Sequence, residues 1–351
     1  MKSILSSTIY TYDAAFRLQD VYQWQPVTLG TVYPPLNGDP TQPPAGSGWS
    51  WLKVSSVTKR QDHAVARCQS DLVTESNQLG VYTTHFYGGN DCYPIGTVSN
   101  SPLFATALLN GEEEIKTENC PGNIPCMGAF GRWQSAGSSL QQDPVLSTDP
   151  PKVVHTGNNA VKVTSIYGPT INLKIRQDVG FMESQKGYMV SVWMLAKPNS
   201  NPAAAIEFRK SLMPTSPDSV VYSIDLVQEY IASNGPFPTN KWIKLQRLIS
   251  YSELSSHGVF LGTPSNDYLR IWFGKSSSAT TNPVYVDDVR LYPANASVNT
   301  TNFDSTGLVS STLDANNEPT FIEYDVWRNP VGARNKDGIL SSSSTTKLFS
   351  E

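Results

Sequence analysis

Residues 282–293 read Asn-Pro-Val-Tyr-Val-Asp-Asp-Val-Arg-Leu-Tyr-Pro, and this stretch decides the fold expected for the chain. Its valines, leucine and tyrosines are typical of β-strands, and a proline near each end stops the strand. Two adjacent carboxylates, Asp287 and Asp288, lie in its middle. Because side chains alternate between the two faces of a strand, one carboxylate is expected to point inward, where it needs a cation or several hydrogen-bond donors.

The composition of the 351-residue chain favours an extracellular all-β protein. Charged residues make up 16%, whereas the chain holds 8 Trp, 16 Tyr, 24 Gly and 25 Pro. Many aromatic residues and turn formers fit short strands joined by tight turns. The net charge of −4 gives no reason to expect a nucleic-acid partner. No apolar run is long enough to span a membrane, and the N-terminus lacks the apolar core of a signal peptide.

Four cysteines point to disulfides and to an oxidising compartment. Cys120 and Cys126 enclose a short loop stiffened by two prolines, which a disulfide closes easily. Cys68 and Cys92 could form a second bridge. Zinc is the other interpretation, but the chain has no CxxC pair and no histidine close to these cysteines. Disulfides are therefore expected, as in extracellular or cell-surface proteins.

Alternating segments recur along the chain before residues 282–293, and no helical pattern is strong. The pieces are at 109–114, 130–133, 155–163, 188–194, 240–245 and 268–273. As a set they resemble the jelly-roll, galactose-binding-like carbohydrate-binding modules, in which a strand of the form "vyvDDvrlyp" closes the module. The resemblance implies a β-sandwich over residues 109–294.

The same resemblance implies a structural calcium ion, because in that family the carboxylate of the closing strand commonly helps to hold one. Calcium takes six to eight oxygen ligands. The alternative is a solvent-facing acidic pair beside Arg290. The predicted ligands are Glu112, Glu113, Glu114, Asp287, Asp288 and carbonyl groups near Gly157.

Aromatic residues on two predicted strands indicate a glycan site. Alternation places Tyr268, Arg270 and Trp272 on one face of their strand, and Trp193 is predicted to join them on a concave sheet. Aromatic rings stack on the apolar faces of sugars, and arginine supplies forked donors. In the alternative interpretation these rings pack against the flanking segments.

The flanking segments resemble the YD repeats of RHS-type surface proteins of Bacteroidetes. Residues 9–21 carry Tyr10-Thr-Tyr-Asp13, and residues 300–340 carry Tyr324-Asp325 within a repeated pattern. The resemblance implies β-hairpins that extend a sheet. The edges of such a sheet are expected to pair by strand addition with other segments of a larger surface protein.

Three domains are therefore predicted: a YD-like hairpin and β-rich connector at 1–108, the sandwich at 109–294, and YD-repeat hairpins with a polar tail at 295–351. No GxSxG, HExxH or P-loop pattern occurs, so no enzyme is expected. The leading interpretation is a structural or adhesion component of a cell-surface RHS/YD-type assembly. The alternative is a module that binds polysaccharide through the aromatic face.

Overall fold

The computed structural model describes the chain in segments, and the predicted all-β fold is confirmed in them. Contacts divide the chain into two compact units, Met1–His85 with Ser99–Leu103 and Phe86–Val98 with Phe104–Glu351. The described residues are 8–12, 18–26, 49–60, 72–77, 81–88, 93–102, 105–110, 126–127, 133–134, 138–141, 153–174, 187–209, 220–257, 268–277, 280, 282–304 and 306–343.

The first unit is an antiparallel meander in which each strand pairs with the next along the chain. The side chains of Thr74 and Thr84 meet at 3.3 Å, and the Thr84 hydroxyl donates to the carbonyl of Ser101 at 2.6 Å. These bonds satisfy buried hydroxyl groups. The strands are β1 (Thr8–Tyr12), β2 (Leu18–Pro26), β3 (Trp49–Arg60), β4 (Leu72–Asn77) and the first part of β5 (Tyr82–Gly88).

The second unit contains a β-sandwich of two antiparallel sheets. Sheet I has the strand order β10-β11-β18-β13-β16, with β7 also paired to β18, and sheet II has the order β15-β14-β17-β12-β9-β8. The strands of sheet I are β7 (Ala107–Leu109), β10 (Ser138–Gln141), β11 (Ala160–Val163), β13 (Gly187–Ala196), β16 (Trp242–Ser250) and β18 (Val284–Pro293). Those of sheet II are β8 (Cys126–Met127), β9 (Trp133–Gln134), β12 (Tyr167–Lys174), β14 (Pro202–Arg209), β15 (Val220–Asp225) and β17 (Tyr268–Lys275).

Two short helices follow strands of the sandwich, and each begins at a side-chain cap. Helix α1 (Leu226–Asn234) begins after Asp225, whose Oδ1 accepts the N–H groups of Val227 and Gln228 at 2.9 and 3.2 Å. Helix α2 (Tyr251–Ser256) begins after Ser250, whose hydroxyl accepts the N–H of Glu253 at 3.1 Å. These caps satisfy amide groups that lack a partner within the helix.

The core lies between the two sheets, and strand alternation explains its composition. On sheet II the register aligns isoleucines of four neighbouring strands, Ile171, Ile271, Ile206 and Ile224. On β13 of sheet I, Val190, Val192 and Met194 share the core face, as their spacing predicts. Burial of apolar area stabilises the sandwich at about 25 cal/mol per Å².

The second unit also contains six strands outside the sandwich, and these end in tandem hairpins. The six strands are β6 (Tyr93–Ser99), β19 (Ser297–Phe303), β20 (Val309–Leu313), β21 (Pro319–Tyr324), β22 (Pro330–Asn335) and β23 (Leu340–Ser343), and they pair in this order. We call β19 to β23 the hairpin sheet.

The four turns of the hairpin sheet share one design. The Oδ1 atom of the first turn residue accepts main-chain N–H groups from the residues two and four positions later. The residue three positions later has a positive φ, which glycine and asparagine tolerate best. The first residues are Asp304, Asp314, Asp325 and Asn335, and the positive-φ residues are Gly307, Asn317, Arg328 and Gly338.

Candidate functional site

The outer face of sheet II, on the side away from the core, carries a cluster of aromatic and charged residues. On β17 the side chains of Leu269, Ile271 and Phe273 enter the core, which places Arg270 and Trp272 on this outer face. The register aligns two cross-strand rows there. One row is Asn172, Arg270, Glu207 and Ser223, and the other is Gln134, Thr170, Trp272, Ala205 and Asp225.

Glu207 fixes the orientation of the Trp272 ring. Trp272 Nε1 donates to Glu207 Oε1 at 2.7 Å, and Arg209 Nε donates to Glu207 Oε2 at 2.7 Å. The side chains of Glu207 and Arg209 are both buried. Because each carboxylate oxygen has a donor, the buried pair is compensated, and the indole is held in one position.

Tyr167 completes an aromatic surface on this face. Its ring lies edge-on to Trp272, with ring centroids 5.2 Å apart, and it is 42% exposed. The guanidinium carbon of Arg270 lies 4.6 Å from the centroid of the Tyr167 ring. An exposed ring beside fixed donors and acceptors can stack on a sugar and bind its hydroxyl groups.

Of the four predicted glycan ligands, the structure brings Arg270 and Trp272 together. Tyr268 begins β17, but its side chain lies outside the described residues. The prediction that Trp193 lines the same surface is wrong, because Trp193 lies on β13 of sheet I. Its ring stacks on His155 at 4.1 Å, and its Nε1 donates to the carbonyl of Asn317 at 2.8 Å. Trp193 therefore follows the alternative interpretation, in which the ring packs against the hairpins.

Asp287 and Asp288 lie together on the outer side of sheet I, not on opposite faces. The pairing of β13 with β18 shifts register between Ser191 and Trp193, directly across from this acidic pair. Asp288 has a φ of 48°. A bulge inserts an extra residue and interrupts the alternation, so Val286 and Val289 both enter the core. The expectation that one carboxylate points into the core is therefore corrected.

Donors from the loop before β11 surround both carboxylates. Asp287 Oδ2 accepts the N–H groups of His155 and Thr156 at 3.0 and 3.2 Å, and its Oδ1 accepts the N–H of Asp288 at 2.8 Å. Asp288 accepts the Thr156 hydroxyl at 2.8 Å and lies 2.6 Å from Nδ1 of His155. Burial and the charge of Asp288 raise the pKa of Asp287 well above its usual value, although the N–H donors oppose this.

This arrangement does not fit calcium at the Asp287–Asp288 pair. Oxygen atoms that accept N–H and O–H donors face hydrogens, whereas a calcium site gathers oxygens around a cation. Among the described residues no group of three or more His, Cys, Asp or Glu is arranged to hold a metal. Gly157 lies in the same loop, while Glu112, Glu113 and Glu114 lie outside the described residues, so calcium binding by those glutamates stays a prediction.

Arg290 joins the sandwich to the hairpin sheet. The alternative of a solvent-facing pair beside Arg290 is wrong, because all three side chains are buried. Arg290 donates to the Thr300 hydroxyl at 2.8 Å and to the carbonyls of Leu313 and Asp314. Burial lowers the pKa of Arg290 to about 10. Four carbonyl and hydroxyl partners replace the water that this cation loses.

The disulfide predictions concern residues that the structure does not describe. Cys68, Cys92 and Cys120 lie outside the described residues, and Cys126 is described only as the first residue of β8. Both predicted bridges, Cys120 with Cys126 and Cys68 with Cys92, stay predictions.

Sequence reasoning missed several residues of the outer face, above all Tyr167 and Glu207. Glu207 and Arg209 alternate with Ile206 and Phe208 along β14, and this two-residue period was a signal that marks polar residues of one face. Tyr167 gave no such signal, because a register shift between Tyr167 and Thr170 interrupts the alternation.

Comparison with known proteins shows similarity of structure at low identity. No protein-family model matches the chain, and the search of curated proteins found no match. The chain is similar to a xylan-binding domain of carbohydrate-binding family 22 from Paenibacillus barcinonensis, with 12% identity, 51% of this chain and 91% of that chain covered, and a TM-score of 0.27.

Two further solved structures are similar at the same level. A family 30 carbohydrate-binding module of a Clostridium thermocellum cellulosomal cellulase has 13% identity, 54% and 94% coverage, and a TM-score of 0.26. The K2 adhesin domain of Lys-gingipain has 13% identity, 53% and 97% coverage, and a TM-score of 0.26. These identities and scores are too low to transfer a ligand. No helix in the described part of the chain is long and apolar enough to cross a membrane.

Proposed function

We propose that this chain is a non-enzymatic, extracellular glycan-binding protein that holds polysaccharide on the outer face of sheet II. The observation that carries the proposal is the pair of Trp272 and Tyr167, whose rings lie 5.2 Å apart among polar side chains. Glu207 holds the indole of Trp272 from one side at 2.7 Å.

The energetics of stacking support this assignment. A ring that is already held by a buried carboxylate loses little rotamer freedom when a ligand binds, and this freedom otherwise costs about 0.5–1.5 kcal/mol per side chain. The row that holds Asn172, Arg270 and Ser223 offers donors and acceptors to sugar hydroxyl groups. We assign no catalytic step to Glu207, because its two oxygens already accept hydrogen bonds from Trp272 and Arg209.

A second role, as a structural or adhesion component of an RHS/YD-type surface assembly, is favoured by the hairpin sheet. Its four turns repeat one hydrogen-bonding design every ten or eleven residues, which supports the resemblance to YD repeats. The last strand, β23, pairs with β22 and has no second partner strand among the described residues. Its free edge suits strand addition by another segment of a larger protein.

Affinity electrophoresis and calorimetry against a panel of soluble polysaccharides test the glycan-binding proposal. We expect the wild type to bind at least one of them, and Trp272→Ala or Tyr167→Ala to weaken that binding about tenfold or more, which is about 1.4 kcal/mol. Trp327→Ala is the matched control, because Trp327 is 78% exposed in the turn between β21 and β22 of the hairpin sheet.

Melting temperatures of all variants separate a loss of binding from a loss of folding. A wild type that binds no member of the panel would contradict the proposal. If both Trp272→Ala and Tyr167→Ala still bind like the wild type, the ligand binds somewhere other than the outer face of sheet II.

A further inference from the structure

Arg270 is a buried cation that lacks an anionic partner among the described residues. It is 8% exposed, and its Nε has no hydrogen-bond partner in the described part of the chain. The register places it directly opposite Glu207, but both oxygens of Glu207 already accept hydrogen bonds, from Trp272 and Arg209. The contact described for Arg270 is with the ring of Tyr167.

This arrangement leaves one positive charge uncompensated on the described outer face of sheet II. Glu207 balances Arg209, while Asp225 caps helix α1, so no described carboxylate forms an ion pair with Arg270. A buried charge without a partner costs several kcal/mol, and arginine in such places normally holds a carboxylate or phosphate through two parallel hydrogen bonds. An anion supplied by the ligand would remove that cost.

The contact between Arg270 and Tyr167 uses none of the hydrogen-bond donors of the guanidinium. The guanidinium carbon lies 4.6 Å from the centroid of the Tyr167 ring, and such a cation–π contact is favourable for arginine. The N–H groups of arginine form the fork that matches a carboxylate, and a cation–π contact does not occupy them.

We propose that the glycan bound on this face is acidic, with the carboxylate of a uronic acid residue paired to Arg270 while a sugar ring stacks on Trp272 or Tyr167. This inference rests on the glycan-binding function proposed above. It adds the class of ligand, a uronate-containing polysaccharide, and the residue that recognises its charge.

The test compares uronate chains with their own neutral forms. Polygalacturonate, alginate and glucuronoxylan are each measured beside the carboxyl-reduced polymer, in which the carboxylate has become a primary alcohol and the linkages are unchanged. We expect the wild type to bind at least one acidic polymer about tenfold more tightly than its reduced form. This preference should fall as the salt concentration rises, because an ion pair is screened.

Substitutions assign the preference to one residue. Arg270→Gln should remove the preference for the acidic polymer, so that the acidic polymer and its reduced form bind the variant about equally. Arg270→Lys keeps the charge without the fork and should retain part of the preference. Arg334→Gln is the control, since Arg334 is an arginine of β22, outside the sandwich, that pairs with Glu323 at 2.5 Å.

Each outcome decides between the two proposals. Equal binding of acidic and reduced polymers, lost in Trp272→Ala, would overturn the uronate inference and leave glycan binding in place. Dextran sulfate that competes as well as the uronate polymer would show recognition of charge alone, which also overturns it. No binding of any polymer, acidic or neutral, would overturn both.

Discussion

The side-chain amide of Asn317 donates a hydrogen bond to the main-chain carbonyl of Asp288 at 2.8 Å. The same amide donates to the Ser191 hydroxyl at 3.0 Å, and the carbonyl of Asn317 accepts Nε1 of Trp193 at 2.8 Å. Asn317 has a φ of 62° and is fully buried. One residue therefore forms a turn of the hairpin sheet and also holds that turn on the bulge of the closing strand.

Replacing Asn317 should lower the stability of the protein, because it removes hydrogen bonds between the turn and the closing strand. Asn317→Ala removes two buried donors and places alanine at positive φ, so we expect the free energy of unfolding in urea to fall by about 2–4 kcal/mol. Asn317→Gly removes the donors without the backbone strain and should cost less. Asn316→Ala is the control, because that side chain is exposed and its carbonyl still accepts Lys244 at 3.0 Å. Equal stability of Asn317→Ala and Asn316→Ala would refute the role of Asn317.

Substitution of Asp288 tests whether Asp287 and Asp288 belong to a hydrogen-bonded cluster or to a metal site. Asp288→Ala leaves the Thr156 hydroxyl and the His155 ring without their carboxylate partner. We expect a loss of about 3–5 kcal/mol of stability, the same with and without a calcium chelator. Differential scanning fluorimetry with added calcium or chelator measures this. A wild-type melting temperature that falls on chelation, with a fall that Asp288→Ala abolishes, would instead support calcium at this pair.

Glu318 should make the attachment of the hairpin sheet sensitive to acid. Burial alone would raise the pKa of Glu318, but hydrogen bonds and charges from Lys244 and Lys336 outweigh it, and the pKa lies below its usual value. Its stabilising contribution is therefore present above the unfolded pKa of about 4.3 and is lost as the pH falls through the lower folded value.

Denaturation of the wild type and of Glu318→Gln across this pH range tests whether the stabilising contribution of Glu318 is lost in acid. The two proteins should differ most near neutral pH and converge in acid. Asp287, whose pKa is raised, contributes in the opposite direction, but it is present in both proteins and cancels in the comparison. Lys336→Met should remove part of the difference, since Lys336 lies 3.0 Å from Glu318. A difference that grows as the pH falls would contradict the assignment.

Hydrogen exchange should follow the order of the strands in the hairpin sheet. The side chains of Thr300, Asn302, Ser311 and Leu313 are buried, whereas residues 340–342 of β23 are exposed. We expect slow amide exchange in β19 and β20 and fast exchange in β22 and β23, because an open edge exchanges first. Mass spectrometry of peptides from the intact chain measures this gradient. A monodisperse monomer with equal protection through Ser343 would contradict the open edge that strand addition requires.

Local alternation made part of the candidate site predictable. Arg270 and Trp272 are two residues apart on one strand, and Leu269, Ile271 and Phe273 take the opposite face. A strand repeats every two residues, so neighbouring positions reveal which side chains share a face without any knowledge of the partner strands. The all-β class followed from the same period together with turn residues, whereas the sandwich and the hairpins were implied by resemblance to known families.

Tertiary structure decided which strands lie side by side, and this placed the other residues of the site. Trp193 lies in the same kind of alternating strand as Trp272, but its strand belongs to the other sheet. There its Nε1 donates to the carbonyl of Asn317. Glu207 and Tyr167 reach Trp272 through cross-strand register. The orientation of Asp287 and Asp288 was predicted wrongly because a bulge changes the period within a strand. Periodicity is a local property of the chain, whereas sheet membership, register and bulges depend on packing between residues far apart in sequence.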